Sequence, residues 1–219
     1  MAEKLISITS LLRKSLVIYK KKFWVFLHLT LIDVASFLVF ILIGLLFLLT
    51  GKNVYWLLIS IVLFLSYIII QAIIFLWVKV SMMYVIDERI SETKLKYFLT
   101  KGWLVLSSYI WLSFLVGIVM FAGFVLFIIP GIIFTIWFSF SRFILIFEDK
   151  KGKLAMARSK ELVKGYWWPV FGRFLLIGLF AGIVSAIPLL GKMIVFFFVV
   201  PYSMIYAYLI YEDLKRIKK

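Results

Sequence analysis

The chain has no cysteine among its 219 residues, a single histidine and only ten acidic side chains. Without cysteine there are no disulfides, no thiol nucleophile and no thiolate metal site. One histidine excludes the metal motifs that need several, so the sequence predicts no metal and no cofactor. It also offers no paired catalytic constellation from which an active site is built. We therefore expect a protein that is not an enzyme.

What the sequence does contain is long apolar runs. Hydrophobic residues make up 65% of the chain and aromatic residues 19%, whereas about half of a soluble domain is apolar. Several runs exceed the roughly 18 uncharged residues that a helix needs to cross a bilayer. The composition predicts an all-α polytopic membrane protein that forms a single integral membrane domain over residues 1–219.

Six transmembrane helices are predicted, joined alternately by tight turns and by longer basic segments. The tight turns are expected at residues 51–53, at Pro130-Gly131 and at the sequence PLLGK of residues 188–192. Proline opens a helix well, and glycine relaxes the backbone at a turn. Two ends stay open for the helix of the second span, one at Lys79 and one at Ile86. The predicted spans are Phe23–Thr50, Val54–Lys79, Trp103–Ile129, Ile132–Phe147, Trp167–Ile187 and Met193–Tyr211.

Amphipathic segments precede the odd-numbered spans. Between Met1 and Lys22, apolar residues recur at steps of three and four, which gives one apolar stripe on a helix. Two interpretations stay open for this segment: a helix lying in the membrane interface with its lysines towards anionic headgroups, or a cytosolic helix packed on the bundle. The segment before the third span has a shorter apolar face. The stripe residues are Leu5, Ile8, Leu12, Leu16 and Tyr19, and those of the shorter face are Leu95, Phe98 and Leu99.

The basic residues predict the orientation. With six spans both termini lie on one side of the membrane, and that side holds 23 of the 25 Lys and Arg residues. Only Lys52 and Lys192 fall in the opposite turns. Positively charged segments are retained in the cytoplasm, so we expect a cell-membrane protein with both termini cytoplasmic. The net charge of +15 is explained by this topology, and no nucleic-acid partner is predicted.

An internal repeat is also indicated. Trp24, Trp103 and Trp167 each open an odd-numbered span after lysines, and an acidic pair follows each even-numbered span. Trp103 and Trp167 are 64 residues apart, as are Glu148 and Glu212. The simplest account is three related hairpins, each preceded by an amphipathic interfacial helix, with repeat units of about 1–90, 91–152 and 153–219.

The segment from Glu148 to Arg173 is the longest polar interruption of the chain. At 100° per residue it predicts a helix with a small, apolar face opposite a lysine face that suits phosphates. Gly165 can end that helix before Trp167 and Trp168, which, like Trp24 and Trp103, are expected to anchor at headgroup depth. The apolar face holds Ala155, Ser159, Leu162 and Tyr166, and the opposite face holds Lys153, Lys160 and Lys164.

One set of residues around this segment carries a resemblance to a known family: Pro130-Gly131, Trp137, Glu148, Ala155, Arg158-Ser159, Leu162, Lys164-Gly165 and Trp167-Trp168. With them the chain resembles the membrane domain of the glycerophosphodiester phosphodiesterase family and related six-span prokaryotic proteins. The resemblance covers about residues 125 to 180 and implies a multi-pass fold, fused in some relatives to a catalytic phosphodiesterase domain. That chemistry needs a soluble barrel with paired histidines and metal-binding carboxylates, so the activity does not carry over.

Polar residues inside the spans are the candidate functional residues, because hydrocarbon penalises them. They are His28, Asp33, Gln71, Arg142 and Arg173. One interpretation is a mostly cationic pocket, open to the cytoplasm or inner leaflet, in which Arg142, Arg173 and the lysine face bind a phosphate or carboxylate headgroup. The other is that Asp33 pairs with Arg142 or Arg173 as a structural contact. His28 is not expected to share a helix face with Asp33.

Two further features concern helix packing and shape. Gly178, Gly182 and Ala186 recur at four-residue steps, which predicts close helix packing along the fifth span. Pro201 is predicted to kink the sixth span.

Three classes of function remain. The first is a non-catalytic protein for lipid handling or membrane homeostasis, with membrane lipids, above all anionic ones, as partners. The second is a small transporter or efflux protein coupled through Asp33. The third, a membrane-embedded enzyme, is disfavoured by the missing catalytic constellation. A homo-oligomer or a membrane protein partner stays open.

Overall fold

The computed structural model describes residues 5–50, 54–87, 94–188 and 190–218, and those ranges contain helices and no strand. Within them, six helical segments are long and apolar enough to cross a membrane, which confirms the all-α, six-span prediction. Residues 1–4, the predicted turn at 51–53, residues 88–93, Leu189 of the predicted turn PLLGK and Lys219 lie outside the described residues.

The helices are numbered in chain order. Span four consists of α4 and α5, and span six of α8, a π-helix and α9. Their bounds are α1 Ile8–Thr50, α2 Val54–Ile86, α3 Leu95–Leu126, α4 Ile128–Phe138, α5 Ser141–Phe147, α6 Gly152–Val163, α7 Trp167–Ser185, α8 Leu190–Ile194, the π-helix Val195–Val199 and α9 Val200–Ile217.

The first helix is one continuous element, which corrects the prediction of a separate amphipathic helix before span one. Its 43 residues extend about 65 Å, roughly twice the thickness of the hydrocarbon core. No glycine or proline precedes Gly44, so nothing ends the helix near Lys22. The buried stripe contains Leu11, Ile18 and Phe26, whereas Leu16 of the predicted stripe is exposed.

The amphipathic segments before spans three and five also differ from each other. Residues 95–101 form the first turns of α3 itself, whereas α6 is a separate helix. Phe98 is buried, so the apolar face predicted for residues 95–101 does point inward. A separate helix before each odd-numbered span is therefore wrong for spans one and three, and the three-hairpin repeat is not confirmed.

Spans three and four meet at Phe127 rather than at the predicted Pro130-Gly131 turn. Phe127 is extended (φ −166°, ψ 158°), and Pro130 lies in the first turn of α4, where a missing N–H leaves no hydrogen bond unmade. Gly131 serves close packing instead of the turn. A Cβ atom added to Gly123 of α3 would lie 3.1 Å from the Cα of Gly131.

Spans four and six are both interrupted. In span four the helix is interrupted at Ser139-Phe140, and the side chain of Ser159 in α6 lies at this interruption. Its hydroxyl donates to the Trp137 carbonyl (2.7 Å) and accepts from the Phe140 N–H (3.2 Å). In span six, Val195–Val199 form a π-helix just before Pro201, which has no N–H to donate. Pro201 itself lies in the first turn of α9, and the kink predicted there stays a prediction.

The predicted close packing of span five is wrong for the described chain. No described atom lies within 4 Å of the positions that Cβ atoms would take at Gly178 and Gly182. Both glycines belong to an outward face of α7.

Both termini lie at one end of the bundle, which we call the terminal side. The Ile6 N–H donates to Asp213 Oδ2 of α9 (2.7 Å). The Arg173 guanidinium of α7 donates to the Ile6 carbonyl (2.7 Å). Residues 5–7 are therefore held against spans five and six before α1 begins.

Candidate functional site

An apolar cavity of about 110 Å³ lies where α1, α2 and span six meet. Most of its wall is hydrocarbon or aromatic, and two charged side chains, Asp33 and Lys79, stand in it. Charged groups inside a span mark functional sites by default, because their desolvation is costly. The lining residues are Thr30, Asp33, Phe75, Val78, Lys79, Met82, Phe196 and Val200.

Asp33 is held by a hydrogen-bond network that crosses from α1 to α2. The Gln71 amide N–H donates to Asp33 Oδ1 (3.0 Å). The Gln71 carbonyl in turn accepts from the Ser36 hydroxyl (2.8 Å) and from the Tyr67 hydroxyl (3.0 Å). The sequence had singled out Asp33 and Gln71 separately, and the structure joins them. Ser36 and Tyr67 were missed, because single hydroxyl residues in a span carry no distinguishing pattern.

Lys79 was assigned only to the end of span two, yet it is the cation of the cavity. It is half-buried, and its ammonium lies 4.9 Å from the centroid of the Phe75 ring. It interacts electrostatically with Asp33, across the cavity, and with Arg142 of α5. These three groups form the charge cluster of the site: one carboxylate and two cations.

The depth of the cluster follows from the helical rise. Asp33 lies about 25 Å along α1 from Thr50, and Lys79 about 37 Å along α2 from Val54. α1 ends at Thr50 and α2 begins at Val54, so both distances are counted from the same end of the bundle, and the hydrocarbon core is about 30 Å thick. The Asp33 backbone is therefore just inside the core and the Lys79 backbone is at headgroup depth on the terminal side, while both side chains line the same cavity.

The two arginines of the predicted cationic pocket have different partners. Arg142 is exposed, and its guanidinium carbon lies 5.8 Å from the centroid of the Tyr109 ring. Arg173 is buried and donates to the Pro169 carbonyl (2.9 Å) and to Ile6. Asp33 hydrogen-bonds to neither among the described residues. Arg142 thus lies outside the cavity lining but close enough to Lys79 to repel it, and Arg173 makes a structural contact with the N-terminal segment.

The faces predicted for α6 are confirmed except at Tyr166, which lies beyond the end of α6 and is half-buried. Ala155, Ser159 and Leu162 are fully buried, while the lysine face is exposed. Within that face the Lys160 ammonium lies 4.3 Å from the centroid of the Trp137 ring. The exposed lysines are Lys153, Lys160 and Lys164.

Glu148 is the centre of a second charged cluster, between α5, α6 and α9. It accepts a hydrogen bond from the Tyr211 hydroxyl (2.9 Å), and Arg158 approaches it to 3.5 Å. Lys150 and Lys215 are within 4 Å. The sequence had used Glu148 only as a repeat marker and as a residue of the family resemblance, so its linking role was missed.

Charge pairing shifts two pKa values on α6. The hydrogen bond between Arg158 and Glu161 (2.9 Å) raises the pKa of the Arg158 guanidinium and lowers the pKa of the Glu161 carboxyl. This pair lies within α6, whereas the Glu148 cluster attaches α6 electrostatically to the end of span six.

The remaining predicted residues lie away from the cavity. His28 is exposed and bonds through Nδ1 to the Trp24 carbonyl (2.6 Å), on a different face from Asp33 as predicted. Trp24, Trp103 and Trp168 are exposed on the outside of the bundle, as interfacial anchors would be. Trp167 is half-buried and stacks on Phe171 at 5.1 Å between ring centroids.

Metal binding finds no support in the part of the chain that the structure describes. No three His, Cys, Asp or Glu side chains come together there as a metal site would require.

Comparison with known proteins gives no relative. No family model matches the chain, and neither does any curated protein or solved structure. The resemblance to the glycerophosphodiester phosphodiesterase membrane domain stays a prediction. Function is therefore argued from the site itself.

Proposed function

We propose that this chain is a non-catalytic, multi-pass membrane protein that binds the phosphate group of a membrane lipid at the cavity of Asp33 and Lys79. The observation that carries the proposal is the environment of the Lys79 ammonium, which lines the cavity and contacts the Phe75 ring but makes no hydrogen bond and no ion pair within 4 Å with a described residue. Arg142 is a second cation close enough to repel it. Basic side chains at headgroup depth attract lipid phosphate, and their hydrogen bonds to phosphate are strong.

The surroundings suit a lipid rather than a soluble anion. Phe75 in the cavity wall is 39% exposed on the outside of the bundle, so the cavity wall reaches the lipid-facing surface. The other wall residues are mostly apolar, and Lys79 lies at headgroup depth. Arginine and lysine both bind phosphate, arginine with two parallel hydrogen bonds. The lipid-handling hypothesis is kept, but the residues proposed to bind the phosphate are now Lys79 and Arg142 instead of Arg142 and Arg173.

The lysine face of α6 supports the same function. Three exposed lysines on one short helix attract anionic lipids, at about 1 kcal/mol for each basic residue near the surface. Those residues would raise the local concentration of lipid phosphate near the terminal side. We place that side in the cytoplasm and the protein in the cell membrane, since 23 of its 25 Lys and Arg residues fall there.

Native mass spectrometry of the protein in mild detergent tests the proposal. Lys79→Gln and Arg142→Gln should each reduce the fraction of protein that retains a phospholipid. Lys192→Gln is the matched control, because Lys192 is an exposed lysine of α8 at the opposite end of the bundle. Unchanged retention in both test variants would contradict the proposal.

A second candidate function, a small transporter coupled through Asp33, is favoured by one observation. The π-helix contributes Phe196 to the cavity wall, and π-helices are frequent at functional sites where a helix must rearrange. Proton-dependent flux into proteoliposomes that is abolished by Asp33→Asn would select this function. Flux that is unchanged in Asp33→Asn would rule out the transporter function.

A further inference from the structure

The two charges in the cavity keep hydrogen-bonding capacity that the described residues do not use. Asp33 Oδ1 accepts from Gln71, whereas Oδ2 accepts no hydrogen bond from any described residue. The Lys79 ammonium has three donors, and its closest partner given by the structure is the Phe75 ring. The site therefore presents an acceptor and a set of donors at the same small cavity.

Gln71 fixes which way the acceptor points. Its carbonyl accepts two hydroxyl donors, from Ser36 and Tyr67, so its N–H group is turned to the carboxylate. The Asp33 carboxyl is thus held in one orientation at the cavity wall, with Oδ2 left to accept a donor from a ligand, and it is separate from the cations Lys79 and Arg142.

We infer that the cavity recognises a headgroup with both a phosphate and a primary ammonium, the chemistry of a phosphoethanolamine lipid. The ammonium would donate to Asp33 Oδ2, and the phosphate would lie with Lys79 and Arg142. This inference rests on the proposed function and adds to it the headgroup class. It also gives Asp33 a role that a purely anionic lipid would leave unexplained, since such a headgroup has no cation to offer.

A primary ammonium fits the cavity better than a quaternary one. A trimethylammonium group has no N–H to donate to Asp33, and proteins usually hold it by cages of aromatic faces. Two phenyl rings line the cavity, but the Phe75 ring is already in contact with the Lys79 ammonium. Only the Phe196 ring remains, and the cavity of about 110 Å³ favours the smaller group.

The test is competitive lipid retention by the full-length protein, measured by native mass spectrometry. The lipids share acyl chains and differ in the headgroup: phosphatidylethanolamine, its N-methyl and N,N-dimethyl forms, phosphatidylcholine and phosphatidylglycerol. We expect retention to fall about ten-fold from the first lipid to the fourth, with the largest step at phosphatidylcholine, which alone of the four has no N–H to donate to Asp33, since hydrogen bonds to charged groups are strong. This series needs no variant, so it does not depend on the folding of a mutant.

Asp33→Asn should bring the retention of phosphatidylethanolamine down to that of phosphatidylcholine and leave phosphatidylglycerol unchanged. Equal retention of all headgroups by the wild type, or an undiminished preference in Asp33→Asn, would overturn the headgroup assignment while leaving phosphate binding standing. If phospholipid retention did not fall in Lys79→Gln and Arg142→Gln, the proposed function itself would be overturned.

Free glycerophosphoethanolamine separates the two sources of this chemistry. The lipid assignment predicts that the soluble ester displaces the bound lipid only at a large excess. Displacement at stoichiometric concentration would contradict the lipid as the ligand and assign the site to the soluble ester.

Discussion

Replacing Ser159 by alanine should destabilise the bundle far more than the loss of one hydroxyl usually does. Ser159 is fully buried and satisfies two backbone groups at the break in span four, the Trp137 carbonyl and the Phe140 N–H. The variant would leave both without their partner, and each unsatisfied buried group costs about 1–3 kcal/mol. Allowing for some relaxation, we expect a loss of roughly 2–4 kcal/mol.

Thermal unfolding in detergent measures this loss. For a chain of this size about 1 kcal/mol shifts the midpoint by roughly 2–4 °C, so Ser159→Ala should lower it by about 4–16 °C. Ser15→Ala is the matched control, because Ser15 is equally buried but bonds only to a carbonyl of its own helix (2.9 Å to Leu11). Equal shifts for the two variants would refute the role of Ser159 at the break.

Three other outcomes are expected. Cysteine introduced at Lys192 should react with an impermeant reagent on intact cells and cysteine at Lys151 should not; labelling of Lys151 would overturn the orientation. Arg173→Gln should speed amide hydrogen exchange of residues 5–12, since it removes the donor to Ile6, and unchanged exchange would refute that contact. Acidification should loosen α6, because the pKa of the Glu161 carboxyl is lowered: the contribution of Glu161 is present above the ordinary carboxyl range and is lost as pH falls through the lowered pKa. Hydrogen exchange that stays constant in acid would argue against it.

The six spans could be predicted because each is a long apolar run bounded by charge, a signal that needs no tertiary contact. The ends of the helices were less accessible to sequence reasoning. Lys20, Lys21 and Lys22 look like the end of an interfacial helix, yet charged side chains do not stop a helix, and α1 continues through them. The break at Ser139-Phe140 carries no proline or glycine, since it depends on Ser159 some twenty residues later.

The residues of the candidate site also fall into two groups, those that the sequence indicates and those that only the structure reveals. Asp33 and Gln71 were recognisable because polar groups in a span are rare and costly. Lys79 looked like the boundary of span two, and only the packing of α1, α2 and span six shows that it faces Asp33 across a cavity. Arg142 and Arg173 looked equivalent in sequence because both flank the central segment. Their partners differ because α7 is in contact with the N-terminal segment, which no local pattern reveals.

The most direct test of the central claim, that a lipid phosphate occupies the Asp33–Lys79 cavity, is crosslinking with a phospholipid that carries a photoactivatable headgroup. After irradiation in proteoliposomes, peptide mass spectrometry would locate the adducts. The account predicts adducts concentrated on the cavity residues Phe75, Met82 and Phe196 and a large reduction in Lys79→Gln. Adducts spread evenly over exposed α2 residues such as Phe64, and unchanged in that variant, would contradict it.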